Sequence, residues 1–328
     1  MSDPFPNRSG DAASAAVGLR QALQVAAAVA GAQDYPRGCL YVVATPIGNL
    51  ADISLRALHV LSLVDAIACE DTRTSGAFLR HFGLEKPLLA LHEHNERAGA
   101  AQVCARLAAG ERIAYISDAG TPAVSDPGAV LVQVAAAAGH RVMPLPGASS
   151  AVAALSVAGD TAAHGFAFAG FLPNKAQERA SALQRLRDAR QTTMIFEAPH
   201  RIEALAAAMA EALGDGGVRQ LTVCRELTKQ FEQVVTLPVA AFPAWLADDV
   251  NHRRGEFVLA LHAAPAAEAA ADDALPADAE RTLRVLLAQL PLKQAAAIAA
   301  ELSGLPRKRL YAQALAWRAD APEADDAG

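Results

Sequence analysis

Cysteine is scarce and unpaired: Cys39, Cys69, Cys104 and Cys224 stand far apart, with no CxxC among them. That spacing argues against a disulfide framework and a cysteine-based zinc site, and it fits a reducing, cytoplasmic setting. Long apolar runs are missing as well. The most apolar N-terminal stretch, Ala22 to Ala32, is too short to span a bilayer and follows Arg20 and Gln21. No charged segment precedes a leucine-rich core there, so no secretory signal is read and no membrane partner is expected. No strand-end loop has the form GxGxxG or GxxxxGK[ST], which leaves a standard dinucleotide or nucleoside-triphosphate site unsupported. Positive charge is in deficit too. A net charge of −6 counts against a protein that coats nucleic acid indiscriminately, while leaving room for a local basic surface.

What remains is a chain of 328 residues, 52% of them apolar, enough for two ordinary domains and a small third one. Much of the apolar fraction is alanine, which favours helix but buries little area per residue. Residues 1–37 read as an alanine-rich extension, floppy or fraying helix. Regular structure begins at Cys39–Ala44, an apolar run that reads as a buried parallel strand and ends in Thr45-Pro46-Ile47-Gly48-Asn49-Leu50. Strands at Val64–Cys69, Ile113–Ile116 and Val142–Leu145 alternate with helical segments, the signature of a parallel α/β sheet over 38–155. Further strands at Phe166–Phe171, Thr193–Phe196, Leu221–Cys224 and Glu256–Leu261 predict a second α/β domain over 156–263.

Residues 264–277 have the composition of a linker. Beyond them, Ala279–Leu290, Lys293–Leu302 and Pro306–Trp317 read as helices. Ser303-Gly304-Leu305 punctuates the last two, giving the outline of a helix-turn-helix over 278–320, with 321–328 a tail. Seven basic and four acidic residues give this segment a net +3 on an otherwise acidic chain. Its densest basic stretch is Arg307-Lys308-Arg309.

Small and polar residues gather directly after the predicted strands, where open α/β sheets bind ligands. Three such loops stand out: Thr45–Leu50, Ser117–Gly128 and Pro144–Ser150. Each alone is ordinary turn chemistry, but together they leave one sheet edge, and small residues let backbone approach a ligand closely. Charges recur at other strand ends: Glu70-Asp71-Thr72-Arg73, Lys175 and Arg179, Glu197 to Arg201, and Arg225, Glu226 and Lys229. His92-Glu93-His94-Asn95-Glu96 crowds two histidines and two acids into five positions. It lacks the HExxH spacing and a second cluster to complete a ligand set, so no metal is expected and a substrate or general-base role is favoured.

The stretches ATPIGNLADIS, EDTRTSG, HEHNE, SDAGTPAVSDPG, PGASSAVAALSVAG, GFLPNKAQER, FEAPHRI and CRELTKQFE together resemble the RsmI family of 16S rRNA ribose 2′-O-methyltransferases, within the tetrapyrrole-methylase superfamily. They span roughly Leu40 to Leu261, and the C-terminal helices resemble that family's small helix-turn-helix domain. FEAPHRI departs from the commoner YESPHRI by losing a phenol and a hydroxyl, with Glu197 kept. The resemblance implies two α/β domains with a cofactor cleft between them, S-adenosylmethionine as cofactor, a homodimer, and methylation of a decoding-region cytidine in 16S rRNA, within the small ribosomal subunit.

By the same resemblance the cofactor-binding residues are Pro46, Gly48, Asp118, Gly120, Thr121, Val124, Ser149, Ser150 and Glu197. A ribose hydroxyl must lose its proton to attack a methyl group, so a base or a polarising cation is needed. The candidate bases are Glu197, Glu93 and His94. Lys175, Arg73 and Arg201 are candidates for holding phosphate or polarising the hydroxyl, and Arg307, Lys308 and Arg309 for binding RNA. Two rival readings share the fold: a methylase of a small tetrapyrrole precursor, and a non-catalytic RNA-binding protein.

Overall fold

The computed structural model describes residues 12–92, 95–214, 218–265 and 275–319. Two compact units are present, 1–264 and 265–328. The linker predicted at 264–277 and the tail at 321–328 lie largely outside the described residues, as do the candidate bases Glu93 and His94.

The first unit holds two five-stranded sheets. In the first, β1 (Cys39–Val43), β2 (Ala66–Cys69), β3 (Leu88–Ala90), β4 (Ile113–Ile116) and β5 (Arg141–Leu145) are ordered β3-β2-β4-β1-β5, every pair parallel. β2 and β4 are buried at every residue, which is why their sequences are continuously apolar rather than alternating. The two faces still separate by parity. Tyr41, Val43, Ile67 and Ile116 pack under α1 (Ala12–Ala30), α2 (Leu55–Leu63) and α3 (Thr72–His81). Leu40, Ala68, Ile113 and Tyr115 pack under α4 (Glu96–Ala108) and α5 (Ala129–Ala137). Glu96, in the first turn of α4, reaches across to cap α5, its Oε1 accepting from the Gly128 N–H at 2.7 Å and the Val130 N–H at 3.1 Å.

The second sheet is mixed. β6 (Phe166–Phe171), β7 (Thr192–Glu197), β8 (Gln220–Arg225), β9 (Gln233–Pro238) and β10 (Phe257–Leu261) are ordered β6-β7-β10-β8-β9, with only β6 and β7 parallel. β9 has no counterpart among the predicted strands. It is a half-exposed edge strand whose short Gln-Val-Val-Thr-Leu-Pro run is too weakly apolar to stand out. α7 (Ala176–Arg185), α8 (Ile202–Leu213) and α9 (Phe242–Asp248) cover one face of this sheet. The other face is covered by α6 (Ser150–Ala158), through Ala154 and Ala158 against Met194, Val258 and Ala260. The expected division after residue 155 is therefore corrected: α6 packs on the second sheet, and the boundary falls just before Ser150.

The expectation of a floppy 1–37 extension is corrected for residues 12–37, while residues 1–11 lie outside the described residues. α1 occupies residues 12–30 and packs on α2, with Ala26 and Ala30 buried and the Tyr35 hydroxyl donating to the Ala30 carbonyl at 3.0 Å. Alanine on the contact face lets the helices approach closely, so the packing is carried by small side chains that leave little hydropathy signal. The second unit contains α10 (Ala277–Leu287), α11 (Leu292–Ser303) and α12 (Arg307–Ala319), packed around Leu283, Ala295, Ala299 and Leu310. Gly304, at φ +69°, ends α11 in the left-handed conformation. Removing residues 1–31 exposes the α1-facing side of α2 and the Tyr35 ring. A truncated chain is expected to unfold several degrees below the full chain in a thermal melt followed by circular dichroism, whereas an unchanged midpoint contradicts a packed α1.

Candidate active site

Because β4, β1 and β5 are adjacent and parallel, the loops after them leave a single carboxyl edge. The loop after β1 is bridged to the loop after β4 by paired backbone bonds between Thr45 and Gly120, at 2.9 and 3.0 Å. Thr121 Oγ1 donates to the Ala148 carbonyl at 3.0 Å, joining the loops after β4 and β5. Across from them stand the end of β7 and the turn after β8. A cavity of about 330 Å³ lies between the two lobes of this unit.

Of the residues that the resemblance implies for cofactor binding, Gly120, Thr121, Val124, Ser149, Ser150 and Glu197 line the cavity. Pro46 and Gly48 do not; Ile47 between them does. Gly48 instead meets the turn after β8, where a Cβ would stand 2.5 Å from Lys229 Cγ. Asp118 lies outside the lining and accepts from the Asp71 N–H at 3.3 Å. Desolvation and the nearby Asp71 charge raise its carboxyl above the ordinary range. Four described non-glycine residues have positive φ: Ala123, Ser125, Glu226 and Thr228, two in the loop after β4 and two in the turn after β8. Such conformations cost of order 1–3 kcal/mol each and gather at functional sites.

Glu197 ends β7 with its side chain 1% exposed. Its Oε1 accepts from Arg201 Nε and from the Ala198 N–H, both at 2.9 Å. Its Oε2 is buried with no partner in the protein. Arg201, placed in the sequence reading as a phosphate or hydroxyl ligand, is committed to Glu197 and to the Leu172 carbonyl and does not line the cavity. That role is corrected: Arg201 orients Glu197. Arg73 is 87% exposed and bound to Asp71 at 2.8 Å, which holds the Asp71 carboxyl down to about 2. Lys175 is 81% exposed and paired with Glu178 at 3.1 Å. Neither lines the cavity. Arg225 is built into the β8–β9 turn through the Phe231 and Arg254 carbonyls. In the second unit Arg307 and Lys308 are exposed and Arg309 half-buried.

Sequence reading passed over Asp126 and the apolar walls Phe171 and Leu227. Asp126 stands in the same acidic, proline-rich loop as Asp118, but nothing in the string marks which acid turns inward. Burial, with a smaller contribution from the Asp118 charge, pushes its carboxyl up to about 6, against a hydrogen bond from Ser117. The lining thus contains three carboxylates (Asp126, Glu197 and Glu256) and no lysine, arginine or histidine. Among the described residues no group of three or more His, Cys, Asp and Glu is arranged to hold a metal ion, and no helix is long and apolar enough to cross a membrane.

Two parallel-to-mixed α/β lobes around such a cleft define the tetrapyrrole-methylase class. The family model for Tetrapyrrole (Corrin/Porphyrin) Methylases matches residues 39–243, and that for the RsmI C-terminal HTH domain matches residues 273–318. Solved structures similar in fold include the methyltransferase CobJ, with TM-score 0.52, 16% identity, and coverage of 69% of this chain and 95% of that one. Diphthine synthase gives TM-score 0.53 at 14% identity, covering 69% and 90%. A curated relative named ribosomal RNA small subunit methyltransferase I from Pseudomonas aeruginosa is 49% identical over 278 residues, covering 85% of this chain and 97% of that protein. The protein of the same name from Escherichia coli O157:H7 is 46% identical over 282 residues, covering 86% and 96%. The chain belongs to the RsmI family of small-subunit rRNA methyltransferases.

The raised Asp126 carboxyl has a signed consequence for stability. The folded chain holds this proton more tightly than the unfolded chain does. Its penalty is therefore absent below the unfolded value near 4, grows as pH rises, and is complete above about 6. Asp126→Asn is expected to raise the thermal midpoint at pH 8 and to leave it unchanged at pH 4, and equal shifts at both pH values contradict a desolvated carboxylate.

Proposed function

We propose that this chain transfers the methyl group of S-adenosylmethionine to the ribose 2′-hydroxyl of a decoding-region cytidine in 16S rRNA. It would act in the cytoplasm, as a homodimer, on RNA within the small ribosomal subunit. The observation that carries the cofactor reading is the charge of the cavity. With Glu197 paired to Arg201 and Glu256 to Lys229, Asp126 is the lining carboxylate with no cation beside it, which suits a ligand bearing positive charge and disfavours one bearing phosphates. S-adenosylmethionine carries a sulfonium and an ammonium beside an apolar-faced base, and the cavity offers apolar walls at Ile47, Phe171 and Leu227 beside its acids. Backbone at Gly120 and the first turn of α6 at Ser149 and Ser150 supply the close-approach surfaces and N–H donors that a ribose or carboxylate needs. The residues present fit the group. The names of the relatives support ribosomal RNA as substrate.

Bound there, S-adenosylmethionine supplies an activated methyl group on its sulfonium. What the chain must add is alignment, and orientation lowers such a barrier by about 7–11 kcal/mol in favourable cases. Glu197 is the residue best placed to add more. Arg201 and the Ala198 N–H occupy one oxygen, and the other, on a residue of the lining, is buried with no partner in the protein. A buried acceptor without a partner costs about 1–3 kcal/mol, which a donor on a ligand recovers. If that donor is the ribose hydroxyl, Glu197 takes its proton as the methyl group is attacked. If it is the ammonium of the cofactor, Glu197 orients the donor. Arg73 and Lys175 lie on exposed surface, where they serve to hold phosphate rather than to act on the hydroxyl.

Glu197→Gln keeps the shape and removes the base. Methyl-labelled S-adenosylmethionine and undermethylated small-subunit particles should give a kcat reduced about 10²–10⁴-fold if Glu197 is the base. Weaker cofactor binding at unchanged kcat assigns it to orientation instead, and a wild-type profile removes it from the site. Transfer to a tetrapyrrole but not to RNA would favour the small-molecule methylase, and no transfer to either a binding protein. Deleting residues 275–328 is expected to weaken RNA binding while leaving S-adenosylmethionine affinity in calorimetry unchanged. Loss of both would make the helical unit a folding element.

A further inference from the structure

Gly48 is a glycine for reasons of space. It does not have a positive φ, so its backbone conformation does not call for glycine. A Cβ there would nevertheless stand 2.5 Å from Lys229 Cγ, 3.1 Å from Lys229 Cε and 3.0 Å from Thr228 Oγ1. The loop after β1 and the turn after β8 belong to different lobes, so this contact spans the cleft. Ile47 beside Gly48 and Leu227 beside Thr228 both line the cavity, which puts the contact at its wall.

The turn is fixed where it meets Gly48. Glu226 and Thr228 hold φ at +53° and +67°. The Glu226 N–H donates to the Glu256 carbonyl at 3.0 Å, and the Thr228 N–H to Glu232 Oε2 at 2.6 Å. The Lys229 ammonium donates to Glu226 Oε1 at 2.8 Å and to Glu256 Oε2 at 3.0 Å. Its stem is thus held at both ends, with Gly48 against the middle. Desolvation works against the ammonium, but these two carboxylates carry it above the ordinary lysine value, so it stays charged. Glu256 lines the cavity, and Lys229 is the cation that offsets it.

We infer that Lys229 is a positioning residue for methyl transfer: its stem, seated on Gly48, sets the spacing of the two lobes at the cavity, and its ammonium holds Glu256 and offsets its charge. The inference rests on S-adenosylmethionine as the occupant of that cavity. Gly48 then serves the cofactor through Lys229 rather than by touching it, in keeping with a lining that includes Ile47 but not Gly48. Spacing matters because in-line transfer needs aligned atoms, and a misplacement of about 1 Å can cost on the order of 10²-fold in rate. Charge matters because a sulfonium is stabilised by an acid in the wall. Removing the ammonium leaves Glu256 without its cation and deepens the negative potential that the sulfonium meets.

Gly48→Ala, Lys229→Ala and the double variant form a thermodynamic cycle on the full chain, read by calorimetric titration with S-adenosylmethionine, with folding followed by circular dichroism. Each single variant is expected to bind the cofactor about tenfold more weakly. The double variant should bind no more weakly than Lys229→Ala, because the added methyl group then has no Cγ to meet. A Gly48→Ala chain that fails to fold and is restored by Lys229→Ala supports the seat equally. Losses that multiply in the double variant, or wild-type affinity in Gly48→Ala, overturn it. Lys229→Met keeps the stem and removes the ammonium, and it reads the second half of the inference even where Lys229→Ala does not fold. Its preference for S-adenosylmethionine over S-adenosylhomocysteine, which lacks the sulfonium, should rise several-fold and fade as salt is added. A merely structural lysine would move both ligands equally, so an unchanged ratio overturns the hold on Glu256. A wild type that binds neither ligand overturns the cofactor reading itself.

Discussion

The parallel pairing of β1 between β4 and β5 is the constraint on which the site depends. Leu40 aligns with Ile113 on one side and with Val142 on the other, so the three strands end together. Their loops have no choice but to share an edge, and they are held there by the Thr45–Gly120 bridge and by the closeness of Gly147 to Ala44, where a Cβ would meet another at 2.9 Å. Such contacts admit only small residues. They also explain where strain has gathered. Ala123 and Ser125 are bent into positive φ on one side of the cleft, and Glu226 and Thr228 on the other. Conformations this costly persist only where surrounding bonds over-determine them. Glu226 is held by Lys229 at 2.8 Å and by the Glu256 N–H at 2.9 Å, which meets that condition.

A second constraint is electrostatic. Burying Glu197 is tolerable because the half-buried Arg201 pairs with it, yet the pairing satisfies one oxygen and leaves the other open. Asp126 is partly desolvated with no cation at its side, and its carboxyl rises accordingly. Asp126 thus carries charge in the cleft that the protein does not itself neutralise. A ligand bearing positive charge relieves it, and a donor on that ligand satisfies the open Glu197 oxygen, so the chain recovers on binding what it gave up on folding. A phosphate-bearing cofactor would add to the deficit. This is why a cleft at the carboxyl edge of a parallel sheet, a position shared with nucleotide-binding folds, favours a sulfonium here.

Much of this was legible in the sequence because parallel strands buried on both faces announce themselves as apolar runs, and the loops after them as Gly, Pro and Ser. The cleft-lining residues Gly120, Thr121, Val124, Ser149, Ser150 and Glu197 followed from that pattern and the family motifs together. What escaped was set by orientation rather than by residue type. Arg201 reads as a surface cation, but one helical turn after Glu197 it folds back onto the carboxylate. Asp118 and Asp126 are both loop acids, and only the tertiary path of the loop turns the second into the cavity. α6 looks like the end of the first lobe because it follows β5, yet its alanine face fits the second sheet. The α1 helix escaped for a related reason: a contact made by alanines carries little hydropathy contrast.

The helical unit offers less free positive charge than its net +3 suggests, because several of its cations are already engaged. Arg284 pairs with Glu280 at 2.9 Å and lies over the Trp317 ring at 4.3 Å, where it serves the three-helix core. Arg307 donates to the Lys293 carbonyl at 3.3 Å, and Arg309 is half-buried. Lys308 is then an exposed charge on α12 beside the partly engaged Arg307. Each phosphate neutralised on a single strand contributes about −0.7 to the slope of log affinity against log salt. Two or three contacts therefore make a shallow dependence and modest affinity. On the RNA-methylating function proposed above, a tail of this kind would steer and register the substrate, and selection of a single nucleotide would fall to the shape of the acidic cleft.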